Sequence, residues 1–126
     1  MYGGTEDDEI KGGDGDDYLE AGEGDDKVHG GKGDDQIYGN LDEDDLYGDD
    51  GDDRIDGGAD DDDIWAGEGN DVAIGGYGSD VIRGEAGDDI LIGGLDIYGN
   101  GDSVNTEYEY IYGNEGNDAL FGQNGA

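Results

Sequence analysis

The chain has 126 residues, 38 acidic against 5 basic, and a formal net charge of −33. That charge excludes a nucleic-acid partner, whose phosphates it would repel, and no apolar run is long enough to span a bilayer as a helix. The absence of cysteine rules out disulfides and thiolate metal sites, and a single histidine, His29, cannot build a zinc centre alone.

Met1-Tyr2 is followed at once by a repeat, with no charged leader or apolar signal segment, which reads as a chain either cut or naturally starting at a repeat boundary. From Gly3 to Ile92 the sequence divides into ten consecutive nonapeptides, each built like Gly30-Gly31-Lys32-Gly33-Asp34-Asp35-Gln36-Ile37-Tyr38. Position 6 is Asp in every unit: Asp8, Asp17, Asp26, Asp35, Asp44, Asp53, Asp62, Asp71, Asp80 and Asp89. Position 8 is apolar in every unit, from Ile10 and Leu19 through to Ile82 and Leu91. A strict short period means one small element stacked on copies of itself rather than a single globular core.

Within a unit, the first six residues read as loop. Position 1 is Gly except at Ala21 and Ala66, and Gly predominates at positions 2 and 4, which suits sharp turns at positive φ. The last three residues read as a short strand, with Ile37 inward and Gln36 and Tyr38 outward. Two units make an 18-residue coil, so the stack is an all-β, parallel β-roll (a right-handed β-helix solenoid) of two short-stranded parallel sheets. One sheet turns Ile10, Val28, Leu46, Ile64 and Ile82 inward; the other turns Leu19, Ile37, Ile55, Ala73 and Leu91 inward.

The same arithmetic stacks the position-6 aspartates in two columns, Asp8-Asp26-Asp44-Asp62-Asp80 and Asp17-Asp35-Asp53-Asp71-Asp89. Naked carboxylates one strand spacing apart repel, and with 31% hydrophobic residues the chain reads as a disordered polyanion unless something neutralises it. The available ligands are carboxylate and carbonyl oxygens, which suit a hard cation, calcium before others. One ion in each gap between stacked loops gives about eight ions in the regular region, offsetting roughly half of the net charge. Position 5 is also acidic in most units, but Asn70 and Ser79 stand there too. Side chains at 5 and 6 point to opposite sides of the loop, so position 5 reads as a solvated acidic rim that keeps the protein soluble.

Between Gly93 and Tyr112 the phase breaks, and it returns at Gly113-Asn114-Glu115-Gly116-Asn117-Asp118-Ala119-Leu120-Phe121. The expected organisation is a roll over 1–92, then an irregular coil, one further repeat with Asp118 at position 6, and a C-terminal cap over 93–126. The break reads as one coil lengthened by two residues, with Asp102 to Glu107 bulging. Val72, Ile74, Ile90 and Ile92 point outward on one sheet, and such a patch calls for a cover. Tyrosines between 98 and 112 are the expected cover or end cap, with a domain of a longer parent protein as the competing one.

Other motifs are poor fits. No EF-hand loop, phosphate-binding loop or catalytic triad can be assembled, and a catalytic carboxylate pair would be singular rather than repeated in every unit; the chain is not expected to be an enzyme. Tyr47, Trp65 and Arg83 occupy position 9 on neighbouring coils of one sheet, a cross-strand ladder with a cation–π contact or, alternatively, a sugar-binding strip. His29 at position 9 reads as plain surface.

These units resemble the RTX repeat, Gly-Gly-x-Gly-x-Asp-x-aliphatic-x, over Gly3 to Ile92 without a gap and again from Gly113 to Phe121. The resemblance implies Ca²⁺ held between successive loops by the position-6 Asp and loop carbonyls. It also implies a secreted, extracellular bacterial protein exported by a type I system, whose roll folds only where calcium is high. Calcium ions and flanking domains of a larger parent are the expected partners. Two other readings are an adhesion or ligand-binding module with structural calcium and the C-terminal piece of an exported toxin or hydrolase. Glu6, Asp42 and Asp60 at position 4, and Asn40, Asp49 and Glu85 at position 2, depart from the pattern, which marks the loops at 3–8, 39–44 and 57–62 as weaker or altered sites.

Overall fold

The computed structural model describes residues 1–94 and 110–122, and every regular element among them is a strand. In chain order these are β1 (Tyr2–Gly4), β2 (Glu9–Asp14), β3 (Tyr18–Glu23), β4 (Lys27–Lys32), β5 (Gln36–Leu41), β6 (Asp45–Asp50) and β7 (Arg54–Ala59). They continue with β8 (Asp63–Glu68), β9 (Val72–Tyr77), β10 (Val81–Ala86), β11 (Ile90–Gly94), β12 (Tyr110–Glu115) and β13 (Ala119–Phe121). Odd strands form one sheet in the order β1-β3-β5-β7-β9-β11-β13; even strands form the other, β12-β10-β8-β6-β4-β2. All pairings are parallel, and through the regular region partners lie two units apart, Ile37 beside Ile55 and Leu46 beside Ile64. The β-roll of 18-residue coils expected from the period is therefore the fold.

A full strand, as in β2 to β10 and β12, is six residues long rather than the three the pattern suggested. It runs through positions 7, 8 and 9 and on through positions 1, 2 and 3 of the next unit, as in Gln36–Leu41. Glycine at positions 1 and 2 hides this, because strand propensity disfavours it. It is tolerated here because position 1 faces inward where almost no space exists. Buried side chains thus recur at positions 6, 8 and 1: Asp35, Ile37 and Gly39 in one unit, Asp62, Ile64 and Ala66 in another. The aliphatic ladder at position 8 is wholly buried from Leu19 to Leu91, each Val, Leu or Ile in it contributing roughly 1.5–3 kcal/mol. It forms a single thin core with Ala21 and Ala66.

The C-terminal register differs from the expected one. Ile82 pairs with Ile111 and Leu91 with Leu120, so partners 18 residues apart become partners 29 apart. A single unit, from Gly93 to Tyr112, carries the whole insertion; it is not a two-unit coil lengthened by two residues. Ile97, Tyr98 and the segment Asp102 to Glu107 lie outside the described residues. Tyr110 and Tyr112 continue the outer face of the even sheet beside Val81 and Arg83. They therefore do not cover Val72, Ile74, Ile90 and Ile92, which face outward on the odd sheet.

Position 4 shows what the loops demand. Gly33 has φ +119, and a Cβ there would lie 2.6 Å from the carbonyl carbon of Gly15 one coil below. Asp42 and Asp60 occupy the equivalent place with φ 73 and 78, the left-handed region that Asp tolerates better than most residues. Glu6 is not among the residues at positive φ. Gly33→Ala should therefore destabilise the folded roll by more than about 1 kcal/mol, while Asp60→Gly stays within about 1 kcal/mol of the parent. Urea melts followed by circular dichroism would measure both; equal effects would mean that position 4 is not sterically closed.

Candidate metal centre

Position 6 closes each loop just before a strand begins, and the chain direction there turns the side chain into the stack. Asp26, Asp35, Asp44, Asp53, Asp62, Asp71, Asp80 and Asp89 are all at most 3% exposed. Asp8, Asp17 and Asp118, in the terminal coils, are half-buried. The two aspartate columns form as the period required, and Asp118 stacks on Asp89 across the insertion.

Within a column the carboxylates do not face one another across an open gap. The Oδ1 of each Asp accepts the backbone N–H of the position-6 Asp one coil earlier, as Asp35 accepts from Asp17 at 2.7 Å and Asp53 accepts from Asp35 at 2.8 Å. The same bond runs from Asp26, which accepts from Asp8, to Asp118, which accepts from Asp89, at 2.7 to 3.1 Å. The period gave the stacking but not the χ1 rotamer, so this bond was not visible in the sequence.

The other oxygen is the orphan. Oδ2 of Asp26, Asp35, Asp44, Asp53, Asp62, Asp71 and Asp89 is buried without a hydrogen-bond partner. A buried, half-satisfied carboxylate is costly unless it is protonated or meets a cation. Its setting is an oxygen-lined cradle. A Cβ on Gly30 would fall against Asp35 Oδ2 and 2.7 Å from the carbonyl oxygen of Gly48 in the next coil. On Gly84 it would fall against Asp89 Oδ2 and 2.9 Å from the carbonyl oxygen of Gly113. Glycine at position 1 thus leaves room beside two hard oxygens, a carboxylate and a carbonyl. This donor set fits an oxygen-seeking divalent ion and offers nothing to a soft one. Among the described residues no three carboxylate or imidazole side chains converge on one point, so backbone carbonyls must complete any coordination.

The electrostatics agree. Burial, reinforced by carboxylates of adjacent coils and only partly opposed by the N–H bond, pushes the Asp62 carboxyl up to about 9, those of Asp44 and Asp71 up to about 7 and that of Asp53 up to about 6. Asp26, Asp35 and Asp89 are raised for the same reasons.

Position 5 forms a second ladder that sequence reasoning missed. The Oδ1 of Asp7, Asp16, Asp25, Asp34, Asp52 and Asp61 accepts the N–H of position 5 in the following coil, at 2.8 to 3.4 Å. Asn70 Oδ1 does the same for Asp88 at 3.0 Å, and Asp88 for Asn117 at 2.9 Å. These side chains point up the stack at its surface, whereas those at position 6 point down it inside. The Asn at position 5 was the available signal, since it keeps the acceptor and drops the charge.

The aromatic row is a ladder with its faces closed. Tyr47 and Trp65 stack at 4.5 Å with 2° between planes, and His29 stacks on Tyr47 at 4.4 Å. Arg83 lies 4.7 Å from the Trp65 ring centre, and His29 Nδ1 lies 3.0 Å from Asp49 Oδ2. A sugar ring needs an open aromatic face; this row presents edges, which favours the structural reading of Tyr47, Trp65 and Arg83.

Comparison with protein families matches the RTX calcium-binding nonapeptide repeat in four copies, over residues 2–37, 38–73, 65–99 and 109–126. A comparison with curated proteins finds no match.

In chelator, the raised carboxyls should make the metal-free roll more stable in acid than at neutral pH. Folded-state values above the unfolded one near 3.8 mean stabilisation that is complete below about pH 4 and lost as pH rises through the range of 6 to 9. Acidifying the chelated chain from pH 8 to pH 4 should therefore raise its β-sheet circular dichroism signal. A signal that instead fell with acid would show that the carboxyls are not held in this buried setting.

Proposed function

Because the chain belongs to the RTX calcium-binding nonapeptide repeat family, we propose that it is a calcium-binding β-roll whose folding is driven by the ion. The observation that carries this is the row of buried Oδ2 atoms with no protein partner. Asp8, Asp17, Asp26, Asp35, Asp44, Asp53, Asp62, Asp71, Asp80, Asp89 and Asp118 would supply the carboxylates, and loop and position-1 carbonyls the remaining oxygens. When bound, calcium supplies the positive charge that lets these carboxylates stay ionised inside the stack. The chain's own part is to hold one oxygen on a backbone N–H, aim the other inward and keep a Cβ out of its way.

Four gaps in the Asp8 column and four between Asp17 and Asp89 support about eight ions, and the Asp89–Asp118 stack adds a further gap. Binding is cooperative, because each ion joins coils that must already be stacked. The affinity expected for extracellular calcium modules, about 10⁻⁴–10⁻³ M, fits a chain that stays open in a calcium-poor cytosol and closes outside the cell. The family and this energetics together support secretion as part of a bacterial exported protein. The repeats act as a structural module, and any catalysis would belong to other domains of a parent protein.

The two ladders allow a sharp test. Asp35→Asn keeps the Oδ1 acceptor for Asp17 but removes the charge, so it should raise the calcium midpoint for folding by roughly threefold or more. Asp34→Asn should leave it unchanged within about 1.5-fold, since Asn70 and Asn117 already serve at that position. Calcium titrations followed by circular dichroism and calorimetry would read both; equal shifts would refute the assignment of position 6 as the ligand row.

A further inference from the structure

The outer faces of the two sheets are built differently. On the even sheet, the outward residues at positions 7 and 9 include Glu9, Lys11, Lys27, Asp45, Asp63 and Arg83, and several of its charges are paired within the chain. Lys11 meets Glu9, Arg83 meets Asp63 at 3.3 Å, and His29 meets Asp49 at 3.0 Å. On the odd sheet, the same positions carry only Glu20, Arg54 and Asp56 as charges. From β9 onward this face is wholly apolar: Val72 and Ile74, then Ile90 and Ile92, then Ala119 and Phe121. Ile90 is 42% and Phe121 56% exposed. A contiguous apolar face on a chain of net charge −33 marks an interaction surface.

Its central strand indicates the occupant. β7 lies in the middle of the seven strands, and its two outward side chains at positions 7 and 9 are Arg54 and Asp56. Among the described residues neither closes a salt bridge, although the Arg54 charge acts on the Asp56 carboxyl along the strand, opposing the burial that raises it. The face is self-complementary about a two-fold axis that runs along the stack between the two rows. Each position-7 residue then meets the position-9 residue of the same strand in the other copy. Arg54 meets Asp56 of the second copy, Val72 meets Ile74, Ile90 meets Ile92 and Ala119 meets Phe121. Two sheets packed this way sit about 10 Å apart, and isologous pairing about a two-fold axis is the commonest form of self-association. The overlap, about 16 Å across and about 30 Å along the stack from strand spacings, buries about 1,000 Å² in total, the size of a reversible interface.

We propose that the outer face of the odd sheet is a homodimer interface, with Arg54 and Asp56 setting its register and the Val72–Phe121 region supplying its apolar contact. The interface rests on the closed roll and not on which cation closes it.

Sedimentation velocity of the full chain in calcium should show a dimer that dissociates on dilution, with circular dichroism on the same samples reporting the fold. Ile90→Lys should leave a folded monomer. Arg54→Asp should also abolish the dimer, and the exchange Arg54→Asp with Asp56→Arg should restore it, an outcome that a merely apolar association or an intrachain cover would not give. A folded wild-type monomer at the highest attainable concentration would overturn the interface, as would a dimer that survives Ile90→Lys or a charge exchange that fails to restore it. Should calcium fail to produce the sheet signal, the cation reading falls, and the interface is then decided in acidified chelator by the wild type and Ile90→Lys.

Discussion

A carboxylate with one oxygen satisfied and the other stranded is the constraint on which this molecule is built. Asp26, Asp35, Asp44, Asp53, Asp62, Asp71 and Asp89 each place Oδ1 on a backbone N–H of the coil before it and bury Oδ2 without a hydrogen-bond partner. The first bond fixes the spacing of successive coils. The second oxygen makes that spacing conditional, because an ionised group left unpaired in the interior costs more than the thin aliphatic ladder beside it returns. Glycine at position 1 follows from the same requirement, since a side chain there would compete with Oδ2 for space. Ala21 and Ala66 show how much larger a residue the site accepts.

The two acidic positions divide the labour by direction. Position 5 reaches up the stack at its surface and acts as a plain acceptor, so an amide serves as well as a carboxylate. Position 6 reaches down inside, where the carboxylate loses its solvent. Adjacent residues of one type thus have unrelated roles, decided by which side of the loop each faces and by the solvent it loses. Most of the loop N–H groups at positions 5 and 6 are taken up by these two ladders, which ties loops this tight and this acidic to their neighbours.

Much of this was legible from the period alone. The coil of 18 residues, the split of Ile10, Val28 and Leu46 from Leu19, Ile37 and Ile55, and the two aspartate columns follow from counting by nine, because a repeat that stacks on itself has few other solutions. What counting cannot give is rotamer and direction. Nothing in the spacing says that Asp35 bonds to Asp17 behind it while Asp34 bonds to Asp52 ahead, or that a strand continues through two glycines. The insertion was misjudged for a related reason. Phase can be lost and regained in several ways with the same residue count, and only the pairing of Ile82 with Ile111 shows that one unit absorbed it all.

The repeat also dictates where individuality can reside. Positions 1, 6 and 8 are committed to the interior, 2 and 4 to backbone geometry, and 5 to the outer ladder. Only the outward positions 3, 7 and 9 remain free to differ from coil to coil, and there the two sheets diverge. One carries a closed ladder of His29, Tyr47, Trp65 and Arg83 with several of its charges paired within the chain. The other grades from tyrosines at β1 to β5 into isoleucine, valine and phenylalanine at β9 to β13. The stacked carboxylates do not call for that gradient, since they turn into the stack while these side chains turn out of it. The period fixes the interior of the roll, and what its surface meets is then written in the few side chains that the period leaves unassigned.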